Sequence, residues 1–288
     1  VNDEGDETKG VCYESLVRKV LKLPWKPAVV LLFSVFANDW NLQERLRPVG
    51  DLYDLPMVSI RDAVTPQFSL KCGEGRILSK NQFFYDIFHP NNTGHTIMAD
   101  CLQYLFERCD AAEPARVGTF VEGMTEEQIL SEKLSGPAVI GADFERIFLL
   151  DKKNRYVGAK IRAGGFTSTD MELQSVEMDG NLTQTPEFPY NWMYDGSRPQ
   201  MAGVEMAITC KSLFLIFKDS GEMDVGKANV FVNDVYCMTA DPHKNNWLHC
   251  NAVLLFWETE SRSHKVRIAV TEEDRNKKFT ILGFGYTI

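Results

Sequence analysis

The chain has 288 residues and a formal net charge of −9, with 44% apolar and 25% charged residues, the proportions of a globular protein long enough for two ordinary domains. The acidic excess speaks against a nucleic-acid partner, which needs a basic stripe to displace phosphate counterions, and against an anionic membrane surface. The apolar run Ala28 to Phe33 is far shorter than the roughly 20 residues of a membrane-spanning helix, and no run in the chain is longer.

Val1 is not a start methionine and no signal peptide is visible, so either a processed chain or one fragment of a longer protein is expected. Tyr13, Leu16, Val17, Val20 and Leu21 then repeat with helical spacing until Pro24 and Pro27 break the pattern. Ala28 to Phe33 is a continuous apolar run of strand length, suited to a parallel strand covered on both faces. A helix is predicted around Leu42 to Leu52 and a strand over Pro56 to Ile60. From Asn92 to Arg108, an apolar stripe of Ile97, Met98, Cys101, Leu102, Leu105 and Phe106 predicts a helix, with Asn92 or Thr93 as its cap. This alternation predicts a parallel α/β domain over residues 1–111.

Composition changes after Asp110. Residues 112–137 carry Pro114, Gly118, Gly123, Gly136 and Pro137 around a short acidic helix near Thr125 to Lys133, and they read as a linker. Residues 138–288 read as strands throughout, with candidates at 155–162, 171–178, 204–209, 212–218, 227–232, 247–257, 264–270 and 278–288. Eight or nine strands with turn-rich connections predict an all-β sandwich, a jelly roll. Trp257 is expected in the core and His264 on the surface. The seven cysteines are scattered with no CxxC pair, which fits reduced thiols and a cytoplasmic setting. Sequons at Asn91 and Asn181 carry weight only in a secreted protein.

The segment with the most chemistry is Phe84-Tyr85-Asp86-Ile87-Phe88-His89-Pro90-Asn91-Asn92-Thr93-Gly94-His95. A serine nucleophile needs a base to take its proton, and the base needs a carboxylate to fix its tautomer. Asp three residues before His can fold back on a short turn and accept the ring Nδ1–H. An incidental Asp–His pair on a surface loop is the plainer alternative. The string D-x-x-H-P-N-x-x-G-H, placed between a parallel α/β pattern and a last helix, resembles the final motif of the SGNH (GDSL-like) hydrolase superfamily.

That resemblance implies a flavodoxin-like α/β hydrolase domain, His89 as general base, and Asp86 as its orienter. Val1-Asn2-Asp3 is similar to the end of the family's G-x-N-D motif, which implies an oxyanion role for the Asn2 amide. Such a donor is worth roughly 3–4 kcal/mol in the transition state. No GDS-type motif is present. Ser197 in DGSRP and Ser220 in KDSGE lie in the β-rich half, which does not suit a strand-to-helix elbow. The resemblance therefore implies a nucleophile on a segment upstream of Val1, and little or no activity from this chain alone. Leu55 to Pro66, the D-x-x-H block and Phe279 to Phe284 together resemble two-domain esterases that deacetylate plant polysaccharides such as mannan or xylan. By that resemblance the partners are an acetylated carbohydrate and the missing N-terminal segment, with neither cofactor nor metal.

Two other classes stay open: a GDSL-type lipase or thioesterase, and a non-catalytic carbohydrate-binding module on a degenerate hydrolase. Sugars stack apolar C–H faces on aromatic rings and bond Asn or Asp. Trp247, Asn245 and Asn246 in one loop, and Trp192 in another, are the substrate-contact candidates, although either tryptophan could instead seal a sandwich end. Cys237, His243, His249 and Cys250 invite a metal reading, but their spacing matches no zinc template, and strand thiols with a loop histidine are the expected account. His95 is expected to cap or pack.

Overall fold

Residues 8–111, 123–172, 188–246 and 248–288 are described by the computed structural model, in which the chain divides into a unit Val1–Glu145 and a unit Arg146–Ile288. In the first unit, α1 (Val11–Leu21) leads to β1 (Leu31–Phe33), and α2 (Gln43–Tyr53) carries the chain across to β2 (Met57–Ser59). The two strands run parallel, with Leu31 opposite Met57 and Phe33 opposite Ser59. Then follow α3 (Ile60–Phe68), α4 (Lys80–Phe83), α5 (Asn92–Ala111) and α6 (Glu126–Ser135). The expected helix–strand alternation is present, with α3 added directly after β2. The Ser59 hydroxyl accepts the Asp62 N–H at 3.0 Å and caps that helix.

Strand alternation sorts this unit into layers. Leu31 and Phe33 pack with Val17, Leu46, Val49 and Tyr53 on one face. Leu32 lies on the other face, with Val58, Ile60, Val64, Phe83 and, from α5, Ile97, Met98 and Leu102. Helices thus cover both faces of the parallel pair. No helix among the described residues is long and apolar enough to cross a membrane.

The segment expected as a linker needs correction from Thr125 onward. The Thr125 and Gln128 side chains cap α6 reciprocally, and Leu130 and Leu134 join the core of Val17 and Tyr53. Residues 112–122 lie outside the described residues. The chain after α6 is held by a buried carboxylate. Glu14 accepts the N–H groups of Val139 at 2.9 Å, Ile140 at 2.5 Å and Gly141 at 2.9 Å, and the Tyr53 hydroxyl at 2.8 Å. Arg18 donates to Tyr53, to the Leu134 carbonyl and to Glu145. Burial pushes the Tyr53 phenol up to about 12, which keeps it a donor to Glu14. The unit boundary accordingly falls after Glu145, eight residues beyond the expected one.

In the second unit the named strands all pair antiparallel, with one isolated parallel bridge between Val225 and Lys278. Its strands are β3 (Phe148–Leu150), β4 (Ala159–Arg162), β5 (Trp192–Tyr194), β6 (Gly203–Asp219), β7 (Ala228–Val232), β8 (Val235–Ala240), β9 (His249–Val270) and β10 (Phe279–Thr287). The long β6–β9 ribbon is shared by two sets of neighbours. Its half around Val204 and Ile268 carries β4 on one side and β7–β8 on the other, while its half around Phe217 carries β10, which in turn pairs with β3 and β5. The two halves meet where the register shifts at Cys210/Ser212 and Leu213/Phe214. Both contribute to one core, from Met206 and Val266 to Phe217 and Phe279.

The predicted strands 204–209 and 212–218 are therefore one strand, and those of 247–257 and 264–270 merge into another that begins at His249. Strand 171–178 lies outside the described residues from 173 on. Trp257 and His264 exchange their expected places. Trp257 pairs with Ser212, on the face opposite Leu213 and Phe256, and is 41% exposed. His264 shares the inward parity of Val266 and Ile268, is 6% exposed, and stacks on Phe256 at 4.0 Å.

Candidate active site

The turn between α4 and α5 is closed by its own backbone. Phe84 and Pro90 form an antiparallel bridge, and the Tyr85 N–H donates to the His89 carbonyl at 2.8 Å. Phe83 and Phe84 anchor the turn in the core. Inside it, Asp86 Oδ1 accepts the N–H groups of Phe88 and His89, both at 2.7 Å, which fixes the carboxylate. Asp86 Oδ2 then lies 2.8 Å from His89 Nδ1. The hydrogen bond from His89, helped by the two backbone N–H groups, holds the Asp86 carboxyl below the ordinary carboxylate range. An ionised Asp86 accepts the hydrogen bond of Nδ1–H, which in the neutral ring leaves the free lone pair on Nε2. The imidazole is 60% exposed, open to an incoming reactant. This is the geometry of a base with its orienter.

The start of α5 locks the turn from below. Asn91 caps the helix through Oδ1, which accepts the Gly94 N–H at 3.0 Å, and its own N–H donates to the Phe83 carbonyl at 2.8 Å. Gly94 is required by close approach, since a Cβ there would lie 2.4 Å from the Phe83 oxygen and 2.7 Å from the Pro90 side chain. Gly94→Ala is expected to destabilise the first unit by about 1–3 kcal/mol. Denaturant unfolding of the two proteins measures this, and equal midpoints would refute the close approach. His95 is exposed rather than packed, and its N–H donates to the Asn91 carbonyl.

A second loop, at the carboxyl end of β1, touches the turn. The Ala37 N–H donates to the Ile87 carbonyl at 2.9 Å. Lys80 Nζ clamps the loop through the Ala37 carbonyl at 2.6 Å and the Asp39 carboxylate at 3.0 Å. Phe36 stacks on Trp40 at 5.0 Å and meets Phe88 edge-on at 5.2 Å. Phe88 is the residue beside His89, with ring centroids 6.2 Å apart. Sequence reasoning missed this aromatic group. The signal was present in Phe36 to Trp40, directly after a parallel strand, where open α/β sheets place their ligands.

The remaining candidates divide. Asn2 and Trp247 lie outside the described residues. Trp192 must be withdrawn as a substrate contact: in β5 it pairs with Ile281 of β10, is 7% exposed, and packs on Phe284 at 5.9 Å. Asn245 Nδ2 donates to His249 Nε2 at 3.0 Å, and Asn246 is exposed with a left-handed φ of 59°. His243 Nε2 donates to the Val225 carbonyl at 3.2 Å. No group of three or more His, Cys, Asp or Glu among the described residues is arranged to hold a metal ion. Ser220 is 2% exposed and Ser197 donates to Asp195, both in the second unit. Among the described residues no serine is hydrogen-bonded to His89.

No protein-family model matches the sequence, and no curated protein matches it. Solved structures do. A two-domain esterase active on acetylated mannans superimposes with a TM-score of 0.70 at 20% identity, over 100% of this chain and 71% of that one. The same kind of esterase, co-crystallised with mannopentaose, gives a TM-score of 0.67 at 19% identity, over 99% of this chain and 69% of that one. The likeness is one of fold: an α/β unit followed by a β unit, as in a two-domain carbohydrate esterase.

Proposed function

We propose that this chain is the base-bearing part of a serine carbohydrate esterase of the SGNH kind, which removes acetyl groups from mannan- or xylan-type poly- or oligosaccharides. The Asp86–His89 pair carries the reading, with its 2.8 Å contact and an exposed imidazole. A serine on a segment upstream of Val1 attacks the acetyl carbonyl, and His89 Nε2 takes the serine proton. Asp86 holds the imidazole and stabilises the imidazolium. The Asn2 amide donates to the oxyanion. His89 then protonates the departing sugar oxygen, and water, activated by the same base, releases acetate. No step calls for a metal or an organic cofactor.

The first unit is, on this reading, the later part of a flavodoxin-like sheet. Among the described residues β1 pairs with β2 alone. Leu31 turns its N–H to Pro56 of the β2 side, so Leu32 turns its backbone groups to the far edge. A groove of about 320 Å³ lies there, walled by Tyr13, Leu16, Val20, Val30 and Leu32, and receives the upstream strands. The second unit is a jelly-roll module that holds the polymer, with Asn245, Asn246 and Trp247 as its contact candidates.

Acetate release from acetylated mannan tests the proposal. The polypeptide that includes the upstream segment is expected to be active, and the 288 residues alone are expected to hydrolyse aryl acetates no faster than their own His89→Ala variant. An inactive complete polypeptide would overturn the esterase reading. Full activity from the 288 residues would show that the nucleophile lies within them.

A further inference from the structure

We infer that Trp40, backed by Phe36 and flanked by Phe88, is a sugar-stacking wall that seats the pyranose ring whose ester His89 attacks; this rests on the carbohydrate-esterase reading. Four observations converge on it. The wall stands past the carboxyl end of β1, outside the sheet, where an open parallel sheet leaves a crevice for ligands. It adjoins the base directly, through Phe88 and through the hydrogen bond from Ala37 to Ile87. Trp40 is 39% exposed and Phe88 47%, beside the Asp86–His89 pair, with Phe36 and Trp40 also at the rim of the groove along β1.

The wall is also rigid. Phe36 N–H donates to the Trp40 carbonyl and Asp39 N–H to the Phe36 carbonyl, both at 2.9 Å. The Trp40 N–H donates to Asn38 Oδ1 at 3.1 Å. Asp39 is held at a φ of 68°, a left-handed conformation for a residue with a side chain, and its carboxylate is bonded by Lys80. A loop built only to connect elements needs no such fixing. An indole face held in place, with the polar side chains of Asn38 and Asp39 exposed beside it, matches a pyranose, which has an apolar C–H face and a hydroxyl rim. An acyl chain would instead call for an enclosed aliphatic slot.

The test uses the complete polypeptide, upstream segment included, labelled with 5-fluorotryptophan and titrated with mannopentaose. The 288 residues hold five tryptophans, and each of their fluorine resonances can be assigned by a single Trp→Phe variant. The Trp40 resonance is expected to shift saturably and the Trp192 resonance to stay in place. An unmoved Trp40 resonance, whether or not another tryptophan responds, overturns the inference. So does a Trp40 response to octanoate with none to mannopentaose. In the complete enzyme, Trp40→Ala is expected to raise KM for acetylated manno-oligosaccharide about tenfold with aryl acetates unaffected, and Trp40→Phe to recover most of the loss. An equal loss on both substrates also overturns it. Sugar binding at Trp40 without esterase activity would leave the wall in place and defeat the hydrolase reading; activity without a Trp40 shift would do the reverse.

Discussion

Replacing His89 by alanine in the complete enzyme is expected to lower kcat for acetyl esters by about 10⁴–10⁶-fold. Nucleophile and base act as one unit, so removing either forfeits nearly all of the covalent route. What survives is the binding and oxyanion contribution, on the order of 10³–10⁴ over water. Steady-state kinetics on an aryl acetate decides it, and a loss of less than tenfold would exclude His89 as the base. Asp86→Asn is expected to cost about 10⁴-fold, since an amide that donates to Nδ1 selects the wrong tautomer. The pH dependence follows from the direction of the Asp86 shift. Its carboxyl is held below the ordinary range by the bond from His89, so it stays ionised as pH falls through the range where free aspartates titrate. The stabilisation that this depressed pKa represents is complete above the unfolded value and is lost only as pH drops through the lower, folded one. Orientation of the imidazole should therefore persist into mild acid.

The second large effect is on folding. Glu14→Ala is expected to destabilise the first unit by about 3–5 kcal/mol. Glu14 is 0% exposed and accepts four hydrogen bonds, three of them from the consecutive backbone groups of Val139, Ile140 and Gly141. Alanine leaves all four donors without their acceptor in a site that water does not reach. Glu14→Gln should cost less, because its carbonyl oxygen can still accept. Urea unfolding followed in the first unit measures both, and a change below about 1 kcal/mol for alanine would show that this carboxylate does not hold the segment after α6.

What could be read from the sequence was what is local. Asp86 and His89 sit three residues apart, and a turn of that length can bring them together in few ways. The apolar stripe of α5 recurs within its own helix, and Leu31 to Phe33 needs no distant partner to look buried. Glu14 shows the opposite case: its three backbone partners lie 125 to 127 residues downstream, and nothing in VCYESLV distinguishes a buried acceptor from a solvated helix face. Helix α3 is not announced by apolar period: its start depends on the Ser59 cap, and Pro66 lies within it. The β6–β9 ribbon looked like four strands because Lys211 and the polar run from Glu258 to Ser263 interrupt the alternation, where the structure absorbs them in bulges. Trp192 was misjudged for a related reason, since a three-residue strand paired to β10 carries no period of its own.

The side of β1 that has no strand partner among the described residues bears, on the esterase reading, on how the enzyme is kept silent until it is finished. A strand that joins there lies in register with Leu32, and a slip of one residue would turn each of its side chains to the opposite face. On the proposed reading, sheet pairing is thus the ruler that sets the serine against Nε2. The hydrolytic site comes into being in the same cooperative event as the completed sheet. On that reading, a polypeptide clipped of the upstream segment carries the Asp86–His89 pair and no means of using it. Release of acetate from polymer would then report, molecule by molecule, that the α/β unit has closed.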